Sequence, residues 1–155
     1  EKGMRICEVM DRDLTALSPD TTLSEAIEVL TRHRVSGIPV VDPSGRVLGF
    51  VSEKDIVKAA LPGYFDYLQD PSFIPDYGQF QKRLKKIGQD PISKVMAKDV
   101  VSFSEEDSDF YVAITLIRNH LKRAPVVRDG ILVGVVNRAD LLERIMMEEE
   151  PPSFA

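Results

Sequence analysis

Two short stretches of the sequence place a helix-capping side chain three residues before a carboxylate. The pairs are Ser52 with Asp55 and Asn137 with Asp140, and each follows a hydrophobic run typical of a strand. Serine and asparagine are strong helix N-caps, and an acidic residue three positions later completes a capping box, so a purely structural role would account for both pairs. The N terminus of a helix can also hold an anion or a sugar hydroxyl through its unpaired backbone N–H groups. The spacing therefore predicts two helix starts and leaves open whether they bind a small polar ligand.

These pairs occupy equivalent positions in an internal duplication. Segments 6–10, 39–41 and 49–55 return in the same order, about 86 residues later, as 92–96, 125–127 and 134–140. Gly49 and Gly134 begin the last pair of segments, where the missing side chain lets another group approach the backbone. Two copies are too few for a stacked solenoid, so we expect two half-domains packed on each other.

Each copy reads as one amphipathic turn followed by a β-α-β-β-α unit. In the first copy, strands are predicted at 14–17, 38–41 and 47–51, with one helix opening at a Thr22/Glu25 capping box and a second at 53–61. In the second copy, the pattern predicts a strand at 100–103, a hairpin turn at 128–130, and helices around 110–117 and 138–147. The fold class is therefore α+β, with two β-α-β-β-α repeats packed with pseudo-twofold symmetry.

The duplication divides the chain into four parts. These are repeat one at 5–61, an aromatic-rich insertion at 62–90, repeat two at 91–147, and an acidic, proline-containing tail at 148–155 that we expect to be disordered. The insertion holds six of the eleven aromatic residues, and a short basic helix is expected at 79–87. Such aromatic density argues against a flexible linker. We interpret the insertion as a flap over the core; a lid or dimer element beside a ligand cleft is the alternative.

The first helix of the second repeat is apolar on nearly every face, from Phe110 to Ile117. A helix of this kind is buried on more than one side. One side is expected to face its own sheet and the other the sister repeat or a second chain, so we expect a homodimer. Packing against the insertion is the alternative.

Composition and charge exclude several function classes. A net charge of −5 disfavours nucleic acid as a partner, and no apolar run is long enough for a membrane span. The single cysteine, Cys7, leaves neither a disulfide nor a cysteine-based metal site. The histidines, His33 and His120, have no Ser, Cys or acidic residue spaced to complete a catalytic triad or a metal set. We therefore expect no enzyme activity, no catalytic cofactor and, without a recognisable signal peptide, a cytoplasmic location.

Segment 49–55 resembles the glycine–hydrophobic–x–hydrophobic–(Ser/Thr)–x–x–Asp signature of cystathionine-beta-synthase (CBS) domains. Segment 36–42 and the Val9-Met10 dipeptide are similar to the loop, strand and opening of the same family. The resemblance covers about 5–61 and 91–147 and implies a tandem CBS pair, or Bateman module. Such modules bind AMP, ADP, ATP or S-adenosylmethionine in clefts between the repeats, commonly dimerise, and regulate a partner protein.

Carried onto this sequence, the resemblance implies two adenosyl-ligand sites. A carboxylate can accept hydrogen bonds from both hydroxyls of a ribose cis-diol, and the resemblance implies this role for Asp55 and Asp140. It also implies that Ser52 lies toward the phosphate. The residues expected at the first site are Thr15, Leu17, Gly37, Ile38, Pro39, Ser52 and Asp55. Those expected at the second are Val101, Phe103, Arg123, Ala124, Pro125, Asn137, Arg138 and Asp140. No metal ligand is implied.

The second copy departs from the family pattern at two positions. Asn137 replaces Ser or Thr, and Arg123 stands at the position of Gly37. Together with Lys122 and Arg138, Arg123 adds positive charge that the first copy largely lacks. We hypothesise that the second site favours a phosphorylated ligand and that the first accepts a less charged one. The alternative is that these cations only solvate a surface.

A structural dimerisation module without a ligand is the alternative function. The capping role alone would preserve Asp55 and Asp140 in such a module. Asn137 is expected to cap its helix as Ser52 does, because asparagine is an equally strong N-cap. The sequence therefore does not separate the two functions.

Overall fold

The computed structural model describes residues 3–61, 69 and 77–150. Its helices are α1 (Leu23–His33), α2 (Glu53–Ala60), α3 (Tyr77–Ile87), α4 (Asp109–Arg118) and α5 (Arg138–Met147). Its strands are β1 (Gly37–Val41), β2 (Val47–Ser52), β3 (Phe103–Ser104), β4 (Arg123–Arg128) and β5 (Ile131–Asn137). Short 3₁₀ turns, Ile6–Glu8 and Ile92–Lys94, open the two repeats. The helices and small sheets confirm the α+β class, and none of the helices in these ranges combines the length and hydrophobicity needed to span a bilayer.

The chain forms two compact units, and the segment that opens each repeat belongs to the unit of the other repeat. The first-repeat unit contains Ala16–Pro43 and Leu48–Val100. The second-repeat unit contains Glu1–Thr15, Ser44–Val47 and Val101–Ala155. The order of elements along the sequence does not indicate this exchange of opening segments.

In the first-repeat unit, α1 packs its apolar face against the two-stranded β1–β2 sheet. The helix begins at the predicted capping box, where Thr22 Oγ1 accepts from the Glu25 N–H at 3.2 Å and the Thr22 N–H donates to Glu25 Oε1 at 3.2 Å. The buried core consists of Leu17, Leu23, Ala26, Leu30, Ile38, Val40, Val51, Ile56 and Ile92. Leu84 and Ile87 of α3 pack against this core, so the described part of the insertion covers it.

The second-repeat unit is built on a three-stranded sheet in which β3 is parallel and β5 antiparallel to the central β4. The β4–β5 hairpin turns at Asp129 and Gly130, whose φ angles of 53° and 82° suit a two-residue turn between twisted strands. The buried core consists of Ile6, Met10, Phe103, Val112, Ala113, Leu116, Ala124, Val126, Val136 and Leu141. Two of these, Ile6 and Met10, come from the exchanged opening segment, and the Ile6 N–H donates to the carbonyl of Asp107 at 2.8 Å.

The predicted first strand of each repeat is largely wrong. Of 14–17, Leu17 alone forms a bridge, to Val40, and Leu14 is 55% exposed. Asp13 Oδ1 accepts from the backbone N–H and the hydroxyl of Thr15 at 2.9 and 2.6 Å, which holds the chain in a turn instead. In the second repeat the strand begins only at Phe103. The two parts of the insertion at 62–68 and 70–76, and the tail at 151–155, lie outside the described residues, so the flap and the disordered tail remain predictions.

Helix α4 buries one face and exposes the other. Val112 and Leu116 are fully buried, whereas Phe110, Tyr111 and Ile117 are 65%, 54% and 47% exposed. The expectation that α4 is covered on both sides is therefore not met by the described part of this chain. A second chain as the cover of the exposed face remains a prediction.

Candidate functional site

Ser52 and Asp55 join β2 to α2 through the predicted capping box. Asp55 Oδ2 accepts from the Ser52 N–H at 2.9 Å and from the Ser52 hydroxyl at 2.8 Å, while Ser52 Oγ accepts from the Asp55 N–H at 3.3 Å. Asp55 is half-buried, and its Oδ1 accepts no hydrogen bond within the described residues. The cap thus fixes the orientation of the carboxylate and leaves one oxygen able to accept from a ligand.

Asn137 does not cap α5, so the prediction that it works as Ser52 does is wrong. Its backbone has the extended conformation of an N-cap, but its side chain accepts no hydrogen bond from the helix. Its amide Nδ2 instead lies 3.3 Å from Asp140 Oδ2. An amide nitrogen can donate to a carboxylate, whereas the amide oxygen in that place would meet another acceptor. Asp140 is exposed, so the two carboxylates of the duplication sit in different environments.

Gly49 and Gly134 are each approached closely, as expected, and the approaching group is the exchanged opening segment. A Cβ on Gly49 would lie 2.6 Å from the sulfur of Met96 and 2.9 Å from the carbonyl oxygen of Ala97. A Cβ on Gly134 would lie 2.8 Å from the sulfur of Met10 and 2.7 Å from the carbonyl oxygen of Asp11. Both motif glycines therefore have a packing role within their own unit.

Most of the residues predicted for the first site come together in the first-repeat unit. Leu17 pairs with β1, since its N–H donates to the Pro39 carbonyl at 2.9 Å, and the Glu53 N–H donates to the carbonyl of Ser36 at 3.0 Å. These bonds bring Leu17, Gly37, Ile38 and Pro39 beside the Ser52–Asp55 cap. Thr15 is the exception, because it belongs to the second-repeat unit.

The residues predicted for the second site all lie in the second-repeat unit. Arg123 stands opposite Asn137 across β4 and β5, and the Arg138 N–H donates to the carbonyl of Lys122 at 2.9 Å, as Glu53 does to Ser36. The side chains of Leu17, Ile38, Phe103 and Ala124 belong to the two cores, while Val101 packs against the second core from its edge. The side chains of these four residues are therefore used in core packing.

Arg123 is 7% exposed, and its surroundings include two residues that sequence reasoning missed. Burial lowers the pKa of the Arg123 guanidinium, while Asp11 and Asp13 act in the opposite direction by favouring its charged form. Both carboxylates come from the exchanged segment, so their distance from Arg123 along the sequence hides the contact. The duplication contains a signal that indicates Asp11. The copy of the motif with Arg123 is matched by an opening segment with Asp11, whereas the copy with Gly37 is matched by one with Ala97.

A surface cleft of about 610 Å³ lies between α1 and α2 of the first-repeat unit. Its lining includes Ile27, Thr31, Arg34, Ser36, Glu53 and Val57. Ser36, which the family resemblance places beside the adenine, lines it, whereas Thr15, Leu17, Gly37, Ile38, Pro39, Ser52 and Asp55 do not. The fixed carboxylate with an open oxygen lies at Asp55, which does not line this cleft, so the ligand site remains a prediction. In the described ranges no three His, Cys, Asp or Glu side chains are grouped to hold a metal ion.

Comparison with known proteins identifies the family. The model of the CBS domain matches residues 6–62 and 92–147, so the chain belongs to the CBS-domain proteins and carries two such domains in tandem. An uncharacterised protein of Methanocaldococcus jannaschii is 28% identical over 155 residues, covering 92% of each chain. The inosine-5′-monophosphate dehydrogenase of the same organism is 30% identical over 138 residues, but the chain spans only 23% of its length.

Solved structures of CBS pairs share the fold. The structure of CBSX2 in complex with AMP has a TM-score of 0.70 at 23% identity and covers 93% of this chain and 97% of its own. The CBS pair of protein MJ0100, solved with 5′-methylthioadenosine and S-adenosyl-L-methionine, has a TM-score of 0.66 at 20% identity and covers 94% and 97%. At these identities the likeness shows the fold alone.

Proposed function

We propose that the protein is a regulatory module that binds an adenosyl ligand at its two candidate sites and signals occupancy to a separate partner protein. The ligand is an adenine nucleotide (AMP, ADP or ATP) or S-adenosylmethionine. The observation that carries the proposal is the carboxylate of Asp55, which the capping box holds by Oδ2 while Oδ1 accepts no bond within the described chain. Two CBS-pair structures that hold AMP, or methylthioadenosine with S-adenosylmethionine, support the ligand class.

The chemistry at Asp55 suits recognition of a ribose. A charged acceptor fixed in place takes hydrogen bonds from neighbouring hydroxyls without reorganising, and such bonds contribute about 1.5–3 kcal/mol each. The β1 residues Gly37 and Pro39 lie next to the cap, and the proposal places the base beside this strand. The proposal assigns no catalytic step to either site.

Regulation requires that the ligand bind one arrangement of the protein more tightly than another. We propose that the protein does this as a cytoplasmic homodimer, with the exposed apolar face of α4 as its contact. Phe110, Ile114 and Ile117 on that face are each more than one-third exposed, and exposed apolar side chains grouped in this way are typical of interaction surfaces. Light scattering of Ile114→Lys beside the unmodified protein tests this part, and an unchanged mass would exclude α4 as the contact.

Calorimetric titration of the full chain with AMP, 2′-deoxy-AMP and S-adenosylmethionine tests the ligand. We expect at least one adenosyl compound to bind, and removal of the 2′-hydroxyl to weaken binding about tenfold, because one hydrogen bond to a carboxylate is lost. A ligand at about 100 times its dissociation constant should also stabilise the fold by about 2.7 kcal/mol. If no adenosyl compound binds or stabilises the protein, the structural dimerisation module is the correct function.

A further inference from the structure

We infer that Asp11 and Asp13 control how strongly the second candidate site takes a phosphate group, because the segment that carries both acids pairs with β5, the strand next to the buried Arg123. A phosphorylated ligand must compete with them for Arg123, and an unphosphorylated nucleoside need not. The inference rests on the proposed function and concerns the specificity and the signal of its second site.

The sheet places Arg123 and Asp11 on one face, and Asp13 follows two residues after Asp11 on the same segment. In the β4–β5 ladder Arg123 stands opposite Asn137 and Pro125 opposite Val135. Asp11 pairs with Val135 at the other edge of β5, through N–H···O bonds of 2.9 and 2.8 Å in the two directions. Residues opposite each other, or two apart on one strand, point to the same side of a sheet. Arg123 and Asp11 therefore project on one face, with β5 between them.

The carboxylates are fixed before any ligand arrives. Asp11 Oδ1 accepts from the Asp13 N–H at 2.9 Å, and Asp13 Oδ1 accepts from the N–H and hydroxyl of Thr15 at 2.9 and 2.6 Å. This succession of turns orients both acids while Arg123 is held in a site that is 7% exposed. A buried cation in such a setting is stabilised by its counter-charges and is not available as surplus positive charge.

The first-repeat unit lacks the arginine and the first of the two acids at the equivalent positions, although Asp99 stands at the position of Asp13. Gly37 replaces Arg123, Ala97 replaces Asp11, and Phe50 replaces Val135. The Phe50 ring packs directly on Gly37, in the space that a side chain at 37 would need. The three differences therefore belong together: the arginine occurs where its counter-charge is present and the bulky ring is absent.

This arrangement changes the sequence-based hypothesis about the second site. Positive charge at Arg123 favours a phosphate only when the phosphate replaces the carboxylates as the partner of the guanidinium. That exchange removes an interaction from the turn at Asp11, Asp13 and Thr15. We therefore expect phosphate binding at the second site to loosen the segment 11–15, which would transmit occupancy to the N-terminal part of the chain.

Titrating AMP and adenosine into an Asp11→Asn/Asp13→Asn variant tests the inference. The parent protein for this comparison carries Asp55→Asn, which weakens the first site, and the acidic-pair variant carries the same substitution. The matched control carries Asp55→Asn with Asp20→Asn, a substitution on an exposed loop, in place of the changes at Asp11 and Asp13. We expect the acidic-pair variant to bind AMP about threefold to tenfold more tightly than its parent, with adenosine affinity changed less than twofold. Unchanged or weaker AMP binding, with adenosine still bound, would overturn the inference while leaving the proposed function intact.

Removing both acids leaves Arg123 buried without counter-charges, which can unfold the unit. If it does, the triple variant Asp11→Asn/Asp13→Asn/Arg123→Met replaces it, and its AMP-to-adenosine affinity ratio should fall close to one. Hydrogen exchange of the unmodified protein gives an independent readout: AMP should increase exchange in 11–15 and adenosine should not. Equal exchange with both ligands would overturn the signal, and failure of every adenosyl compound to bind the unmodified protein would overturn the proposed function itself.

Discussion

The sulfur of Met10 rests against the backbone of Gly134, so close that a Cβ at 134 would lie 2.8 Å from it. The equivalent contact in the first-repeat unit joins Met96 to Gly49, where the distance would be 2.6 Å. Each methionine belongs to the segment that opens the other repeat along the chain. The opening dipeptide and the motif glycine therefore recur together because one packs on the other.

Gly134→Ala should destabilise the protein by about 1–3 kcal/mol, the usual cost of forcing extra volume into a packed contact. Urea unfolding followed by circular dichroism measures the change. Met10→Ala should recover only part of the loss, because the Asp11 carbonyl, 2.7 Å from the added carbon, remains. Gly78→Ala, at an exposed position in α3, is the matched control and should stabilise slightly. A neutral Gly134→Ala would mean that the contact relaxes at no cost.

The two helix caps should respond differently to the same substitution. Ser52→Ala should cost about 1 kcal/mol, because a side-chain cap of α2 is lost. Asn137→Ala should cost much less, since Asn137 makes no cap bond to α5. Asn137→Ser should stabilise by forming one. Denaturant midpoints of the three variants decide the matter, and equal losses for both alanine variants would contradict the assigned cap geometry.

The two aspartates should also differ in their effect on ligand binding. Asp55 is half-buried and fixed by its cap, whereas Asp140 is exposed and accepts from the amide of Asn137. We expect Asp55→Asn to weaken adenosine binding about 10- to 100-fold, and Asp140→Asn by a smaller factor. Calorimetry on both variants, with Asp20→Asn as control, measures the two effects. A larger loss at Asp140 would place the stronger site in the second repeat.

Local patterns were sufficient to predict the helices and most strands, because caps, turns and hydrophobic periodicity act over a few residues. The Thr22 and Ser52 caps and the Asp129–Gly130 hairpin were predictable in this way. The failed strand at 14–17 also has a local cause, the turn formed by Asp13 and Thr15. The exchange of the opening segments was not predictable, since its contacts join residues far apart in the sequence, such as Gly49 with Met96 and Met10 with Gly134. For the same reason the sequence does not indicate that Asp11 projects on the same face of the sheet as Arg123.

A contact between the buried Asp109 and the half-buried Glu148, near the end of the described chain, predicts an unusual pH dependence. Glu148, just after α5, lies against Asp109, the first residue of α4, and the pKa of Glu148 is raised by its contact with the Asp109 carboxyl, with burial adding to the shift. Asp109 Oδ2 and Glu148 Oε1 are both buried with no hydrogen-bond partner in the described residues. A protonated Glu148 can donate to the Asp109 carboxylate, which is why this contact favours the protonated form of Glu148. The backbone of Met4 and the charge of Arg144 act in the opposite direction and lower the pKa of Glu148.

An acid whose pKa is raised on folding stabilises the fold only while it keeps its proton. The contribution of Glu148 is therefore present below its ordinary pKa and is lost as pH rises through the raised value. Contacts with Arg128 and Thr22 lower the pKa values of Glu105 and Glu25, respectively. Their contributions to the free energy of unfolding are therefore lost in the opposite direction, as pH falls. For this reason the prediction concerns the difference between variants and not the absolute profile.

Glu148→Gln should raise the melting temperature at pH 7, because the amide donates to Asp109 without needing a proton. The gain over the unmodified protein should shrink as pH falls toward 4, where Glu148 is itself protonated. Thermal melts across that range measure the difference, with the exposed neighbouring substitution Glu149→Gln as control. A gain that stays constant with pH, or that Glu149→Gln matches, would show that net charge and not the Asp109 contact sets the effect.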